Sequence, residues 1–500
     1  MEELPTLSRK KSTIVQAVGG YINAGISIVQ GLLLIPLYLQ YIDIKTYGLW
    51  LTTGGILSIL SLMNLGMGAI LIQKVANAYG KQDYENTAAY IVNGIVVYVC
   101  ICIFLSIIGY FLSFFIPSFF NLKNSEATLI QQCFQIAVIS IVLSILNECL
   151  RSFSIAMLRP ILPIIGMSFA KVVGLCLTVV MLFDGYSLWA IPIGILITEC
   201  IIFMVSTYSA ITLFLKLNVK IKFSLKIIKQ YLNTAPLVMM ATVGNTISNA
   251  AEPLLITIFL NPQITTIYMV NRKVVDIIFN VLSVLIGATI GPFAHLVGNQ
   301  SKENVAKIVK TLLVTSFALG VVCFATYTGS AQLFIELWVG KTFVLGTPII
   351  LFIALASFAR AFRGLISQML YGLGDFLYSS KFILLEGIGS VILAIALINL
   401  IGIIAIPIAF VTFSYTVIML LGLKLQKESG IRLNLQKIVQ FLFSGFVIFC
   451  ICIIIPPLIF NLNSWAGFVM RVVVTVVALS CLFVALNLND IKESYKRIFN

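Results

Sequence analysis

The chain has little charge, few acids and almost no histidine. Charged residues make up 10% of its 500 positions, acids number 18 against 32 bases, and His295 is the single histidine. Soluble domains average about 25% charged residues, so an ordinary soluble fold is excluded. No P-loop, HExxH or nucleophile elbow occurs, and no polar stretch is longer than about 15 residues. That leaves no room for a catalytic or ATP-hydrolysing domain, so no enzyme activity is expected. The ten cysteines fall within apolar runs or at their edges, with no metal-ligand spacing and no disulfide framework. No cofactor or metal is expected.

Apolar residues, at 60%, are arranged in long runs. About 20 such residues cross the hydrocarbon core as a helix, and the backbone must be hydrogen-bonded internally there. Fourteen spans are expected, at roughly 14–38, 47–72, 88–116, 127–150, 160–183, 187–213, 231–260, 265–293, 308–333, 344–372, 380–399, 402–423, 437–460 and 464–487. Some turns are short, such as Asp184-Gly185-Tyr186-Ser187 and Asn399-Leu400-Ile401-Gly402. Twenty-three of the 32 bases fall in alternate breaks, while Lys45, Lys123 and Lys341 mark the opposite side. The positive-inside rule puts both termini in the cytoplasm. The net charge of +14 follows from this topology and calls for no nucleic-acid partner. Cysteines placed at Lys123 and Asn463 are expected to label from outside intact cells, and those at Lys220 and Lys427 only from inside. Outside labelling at position 220 would end this topology.

The chain also repeats. Gln82, Glu85, Asn86 and Ala88 recur as Gln300, Glu303, Asn304 and Ala306, at a spacing of 218. Ala190-Ile191-Pro192-Ile193 recurs as Ala405-Ile406-Pro407-Ile408, at a spacing of 215. Spans one to six therefore repeat as seven to twelve. Six is even, so both halves start from the same side, as in a parallel repeat. The expected fold is all-α and integral to the membrane, two six-helix bundles around a central cleft plus two C-terminal helices. Its parts are a lead at 1–13, a bundle at 14–215, a basic linker at 216–230, a bundle at 231–424, and helices thirteen and fourteen with a tail at 425–500. This is transporter architecture.

Ionisable groups inside spans cost about 2.5–3.5 kcal/mol each at mid-span, so each needs a partner or a task. Glu148 and Lys171 lie eleven and twelve residues from Arg159, in the turn between spans four and five, and so at one depth. Shifted by 215 they become Arg363 and Glu386, with the signs exchanged. Two structural ion pairs are expected, one per half. Glu252 and Asp276 are assigned to Arg272 and Lys273. Arg360, one turn before Arg363, is the cation these pairings do not use. Arg360, Arg272 and Lys273 are the candidate contacts for an anionic substrate, with Asn23, Gln30, Asn245 and Asn249 as polar neighbours. Glu199 finds no place in the scheme.

Three stretches carry a family resemblance: YGLWLTTGGILSILSLMNLGMGAILIQKVANAYGK from Tyr47, IYMVNRKVVDIIFNVLSVLIGATIGPFAHLVG from Ile267, and ELWVGKTF followed by SQMLYGLGD. They resemble the polysaccharide flippase branch of the multidrug/oligosaccharidyl-lipid/polysaccharide exporter superfamily, over residues 10–425. The resemblance implies two rocking lobes that move an undecaprenyl-pyrophosphate-linked oligosaccharide across a bacterial cytoplasmic membrane. It implies membrane lipids and other polysaccharide-assembly membrane proteins as partners, as in O-antigen or lipopolysaccharide biosynthesis. Where the family commonly has Asp-Leu-Gly this chain has Asn64-Leu65-Gly66, and the lost charge argues against an ion-coupling role for Asn64. The alternatives are a cation-coupled multidrug exporter, disfavoured because span one has no acid, and an assembly scaffold that transports nothing.

Overall fold

A computed structural model describes residues 8–64, 66–122, 124–217, 223–299, 302–430 and 464–477. Every element in it is helical: α1 (Arg9–Tyr41), α2 (Ile44–Ser61), α3 (Met67–Gly80), α4 (Tyr84–Phe119), α5 (Asn124–Ala156), α6 (Ile161–Phe183), α7 (Ala190–Leu217), α8 (Leu225–Phe259), α9 (Pro262–Asn299), α10 (Lys302–Val339), α11 (Thr347–Gly372), α12 (Phe376–Ile401) and α13 (Ala405–Ser429). A further helix, α14, covers Trp465–Val477. Among the described residues, nine segments are long and apolar enough to cross a membrane. The expected span at 437–460 and much of the basic linker lie outside the described residues.

Short polar side chains start the helices. Asp43, Asp83 and Asp375 accept from the backbone N–H of Thr46 (3.1 Å), Asn86 (3.1 Å) and Tyr378 (3.3 Å). Each caps the first turn with a negative charge, where the helix dipole favours it. Several of the few acids thus serve as caps at span ends. The repeated Ala-Ile-Pro-Ile is a helix start in both halves. A 3-10 turn precedes each copy, Ser187–Trp189 before α7 and Gly402–Ile404 before α13. Pro192 and Pro407 fall in the first turn, where a missing N–H costs no helical bond.

One span is not continuous. The run expected at 47–72 breaks into α2 and α3. A 3-10 turn, Leu62–Asn64, ends α2, and Gly66 takes the left-handed conformation (φ +62°) before α3 begins. A residue with a Cβ is strained there. The hydropathy of the run hides the break, because both sides of it are apolar.

The chain forms two compact units, Met1–Thr266 and Ile267–Asn500. In the first, α5 packs on α7 and α4, α6 on α7, and α1 on α6. In the second, α11 packs on α13 and α10, and α12 on α13. The packing of α5, α6 and α7 thus recurs in α11, α12 and α13. Helix α8, first of the second sequence repeat, packs on α2 within the first unit. The sequence repeat and the compact unit therefore differ by one helix.

Candidate functional site

In the second unit a closed polar triad joins three helices. Arg363 on α11 sets Nε 2.9 Å from Oε2 of Glu386 on α12, with both side chains more than nine-tenths buried. The Ser414 hydroxyl on α13 donates to the other carboxylate oxygen. The expected Arg363–Glu386 contact is present, and Ser414 completes it. Arg272 on α9 is also held by a carboxylate, with Nη1 2.8 Å from Asp276 Oδ1 and 2.7 Å from the Ser357 hydroxyl. Lys273, beside it, is half-buried. Arg360 is engaged as well, its guanidinium 5.5 Å from the centre of the Phe410 ring in a cation–π contact.

The first unit holds the counterpart of this triad, and it is open. Arg363, Glu386 and Ser414 lie 215 residues after Glu148, Lys171 and Glu199. The expected Glu148–Lys171 pair does not form. Glu148 turns to the break in span two, where Asn64 Nδ2 donates to its Oε2 at 2.5 Å. Lys171 turns to α1, donating to the Ser27 hydroxyl (2.8 Å) and the Asn23 carbonyl (3.3 Å). Glu199 accepts from Asn147 Nδ2 at 2.8 Å. Each member of the triad has found a different partner. The physical reason is the break after α2, which brings a donor amide to Glu148 that a straight helix would not.

Two cations result that lie near one carboxylate without pairing with it. Lys171 and Arg151 both lie within electrostatic reach of Glu199 and of each other. Arg151 Nη1 packs 3.1 Å from the Met167 sulfur, a weak acceptor. Among the described residues neither cation makes an ion pair. Both are half-buried. A locally positive, hydrogen-bonding site in a largely apolar span suits an anion.

The expected amides divide. Asn23 is buried and donates to the Ser168 hydroxyl on α6 at 3.0 Å, and Gln30 donates to the Lys171 carbonyl at 2.7 Å. Both are accounted for as contacts joining α1 to α6. Asn245 and Asn249 are exposed on α8, one turn apart on the same face. Glu252, on the same helix, is buried. The sequence reading missed Arg151 as a site residue, and it missed Ser27, Asn147 and Asn64 as partners. Applying the spacing of 215 to Ser414 finds Glu199; nothing in the hydropathy signals the others.

The all-α chain of repeated apolar helix bundles has a fold similar to that of solved membrane transporters. The MatE family model matches residues 49–180, from α2 to α6, the stretch that holds Asn64, Glu148, Arg151 and Lys171. The lipid II flippase MurJ, in an inward closed conformation, aligns with 96% of this chain and 100% of its own at TM-score 0.74 and 11% identity. A multidrug resistance MATE family transporter of the MOP superfamily, inward-facing, aligns at TM-score 0.65 and 13% identity over 86% of this chain and 97% of its own. The eukaryotic MATE transporter AtDTX14 aligns at TM-score 0.60 and 15% identity over 84% and 97%. No curated protein sequence matches the chain.

Proposed function

We propose that this chain is a flippase that moves an oligosaccharide, carried on undecaprenyl pyrophosphate, across the bacterial cytoplasmic membrane by alternating access. The observation that carries this reading is the cation pair Arg151 and Lys171, which sits in apolar spans with neutral hydrogen-bond partners. A pyrophosphate crossing the membrane needs donors that replace its water. Lys171, already on the Ser27 hydroxyl, and Arg151, against a thioether, exchange weak partners for strong ones when a phosphate arrives. In the second unit Arg272 and Arg363 hold carboxylates, so a phosphate has to displace those first. The alignment with a lipid II flippase over 96% of the chain supports the same reading, while MATE transporters align with 84–86%.

The MatE match at 49–180 favours a second reading, multidrug export. A cationic drug meets repulsion at Arg151 and Lys171, so the two readings separate by charge. The test is reconstitution in vesicles with a fluorescent polyprenyl-pyrophosphate saccharide, the matching neutral polyprenyl saccharide, and a lipophilic cation. The pyrophosphate lipid is expected to flip fastest. Arg151→Gln with Lys171→Gln should slow it at least about tenfold, since each charge-assisted contact contributes about 1.5–3 kcal/mol. Protein level should hold, because a glutamine side chain in place of Lys171 still reaches Ser27. Equal rates for the pyrophosphate and neutral lipids, or preferred movement of the cation, would overturn the proposal.

A further inference from the structure

Beside the two cations of the first unit stands a pair of acceptors that a phosphate leaves unused. On α5, Asn147 lies one turn before Arg151, so the two share a face. On α6, Met167 lies one turn before Lys171, and Arg151 Nη1 reaches the Met167 sulfur. On α7, Glu199 meets Asn147, whose Nδ2 donates to the Glu199 carbonyl at 3.0 Å and to its Oε2 at 2.8 Å. Three helices thus bring two cations, an amide and a carboxylate to one place. Lys171 follows Ile161, the start of α6, by ten residues, and Glu199 follows Ala190, the start of α7, by nine. Both therefore lie about 15 Å along their helices, near mid-membrane. Asn147 is 5% exposed, and its Oδ1 is buried without a hydrogen-bond partner. Among the described residues Asn147 is the one side chain that donates to Glu199, and it engages only Oε2. The fold does not require these groups. At the spacing of 215, Asn147, Arg151 and Met167 become Phe362, Ile366 and Phe382 in the second unit.

Acceptors beside cations define what fits. The phosphate oxygens of a pyrophosphate are acceptors, so they take the cations and offer nothing to Glu199 Oε1 or Asn147 Oδ1. Those two oxygens call for O–H or N–H donors next to the phosphate. We propose that Glu199 and Asn147 form a sugar subsite, accepting hydroxyl hydrogens of the hexose joined directly to the pyrophosphate while Arg151 and Lys171 hold the phosphates. The subsite rests on the pyrophosphate reading of those two cations and adds to it the part of the substrate that is selected. A carboxylate is the stronger acceptor of the two, because its hydrogen bonds are charge-assisted. Asn147 also positions it, holding Oε2 so that Oε1 is left for the sugar. Glu199 offsets one of the two positive charges as well, so the site binds a pyrophosphate without trapping it. Selection is sharp in such a site, since a sugar that lacks the donor leaves a desolvated acceptor unpaired.

The test measures binding to the purified full chain in detergent, by calorimetry and by the shift in melting temperature. The probes are farnesyl pyrophosphate, the same lipid bearing one glucose, galactose or N-acetylglucosamine, and single deoxyfluoro forms of each. Fluorine fills the place of one hydroxyl but donates nothing. At least one hexosyl lipid is expected to bind about tenfold tighter than farnesyl pyrophosphate. One fluorinated position should lose about tenfold, as for one hydrogen bond to a charged group. Glu199→Gln can still accept from Asn147, but it puts a donor where Oε1 was. It should bring the hexosyl and fluorinated forms within about twofold without weakening farnesyl pyrophosphate. Lys171→Gln should weaken every pyrophosphate probe by one factor and keep the ratio. Equal wild-type affinity with and without the hexose, or across the whole fluorine series, would overturn the subsite and leave the pyrophosphate contacts standing. An unchanged ratio in Glu199→Gln would also overturn it. If Glu199→Gln does not fold, the wild-type fluorine series decides by itself. A neutral farnesyl glycoside that binds as well as its pyrophosphate counterpart overturns the pyrophosphate contacts instead, and the hydroxyl preference is then read on the glycoside.

Discussion

Glu386→Leu is expected to lose about 3–5 kcal/mol of stability, because it leaves Arg363 charged, buried and without its carboxylate. The Ser414 hydroxyl loses its acceptor as well, adding about 1 kcal/mol. The change should show as a sharp fall in folded protein extracted from membranes and in melting temperature. The double change Arg363→Met with Glu386→Leu should recover most of the loss. Replacing a buried ion pair by apolar side chains of similar size is often neutral, while removing one partner is not. Glu148→Leu, at the position that matches Arg363 in the first unit, should cost less, about 1–3 kcal/mol, because it strands an amide rather than an ion. Equal losses from Glu386→Leu and Glu148→Leu would mean that the second triad is not closed by charge.

That contrast shows what the sequence makes legible. Arg363 and Glu386 could be matched because antiparallel neighbours around a short turn put residues equidistant from it at one depth. The same argument applied to Glu148 and Lys171 gave the wrong partners. Depth brings two groups to one level of the bilayer, but it does not say which way a side chain points around its helix. Glu148 points to α3 and the 3-10 turn, and Lys171 points to α1. The spans themselves were readable because hydropathy is a property of long runs. The break at Gly66 was not, because it needs one backbone torsion in a run whose composition does not change.

The candidate site moved for a related reason. Counting charges assigned carboxylates by sequence distance and set Arg360 aside as surplus. In the structure Arg360 lies over Phe410, a partner that charge counting omits. Arg151 and Lys171, in the other unit, are half-buried cations with neutral partners. Glu199, which charge counting left over, lies within reach of both. The repeat contained this information, since Glu199 stands where Ser414 closes the other triad. A serine completes a hydrogen bond to a carboxylate in the second unit, whereas Glu199 at the matching position accepts from Asn147.

The seam between α2 and the chain from α8 to the start of α9 should be the least tolerant of added bulk. Gly48 on α2 faces the Pro262 backbone, and a Cβ there would lie 2.6 Å from the Pro262 carbonyl carbon. One face further along, a Cβ at Gly55 would lie 2.7 Å from the Ala250 carbonyl oxygen. Between them Thr52 donates to the Gly48 carbonyl at 2.8 Å, and its hydroxyl meets that of Thr257 at 2.6 Å. Thr257 in turn meets Thr265 at 2.7 Å, and Thr266 donates to the Ile44 carbonyl at 2.7 Å. Small residues let two backbones approach, and hydroxyls then join them, which is how helices associate where lipid removes the hydrophobic drive. Backbone atoms cannot move aside as a side-chain tip can. Gly48→Leu should therefore separate the helices and lower stability by about 3 kcal/mol or more, at the upper end for overpacking. Thr52→Val keeps the spacing and should cost about 1 kcal/mol for the lost hydrogen bonds. Gly54, next to Gly55 but with nothing within 4 Å of its Cβ position, is the control. Gly54→Ala should be neutral or raise stability by about 0.5–1 kcal/mol, because alanine favours the helix. Thermal unfolding of these variants reads the series directly. If Gly48→Leu melts with Gly54→Ala, the backbones at this seam are not in contact, and the hydroxyl chain of Thr52, Thr257 and Thr265 cannot be what holds them.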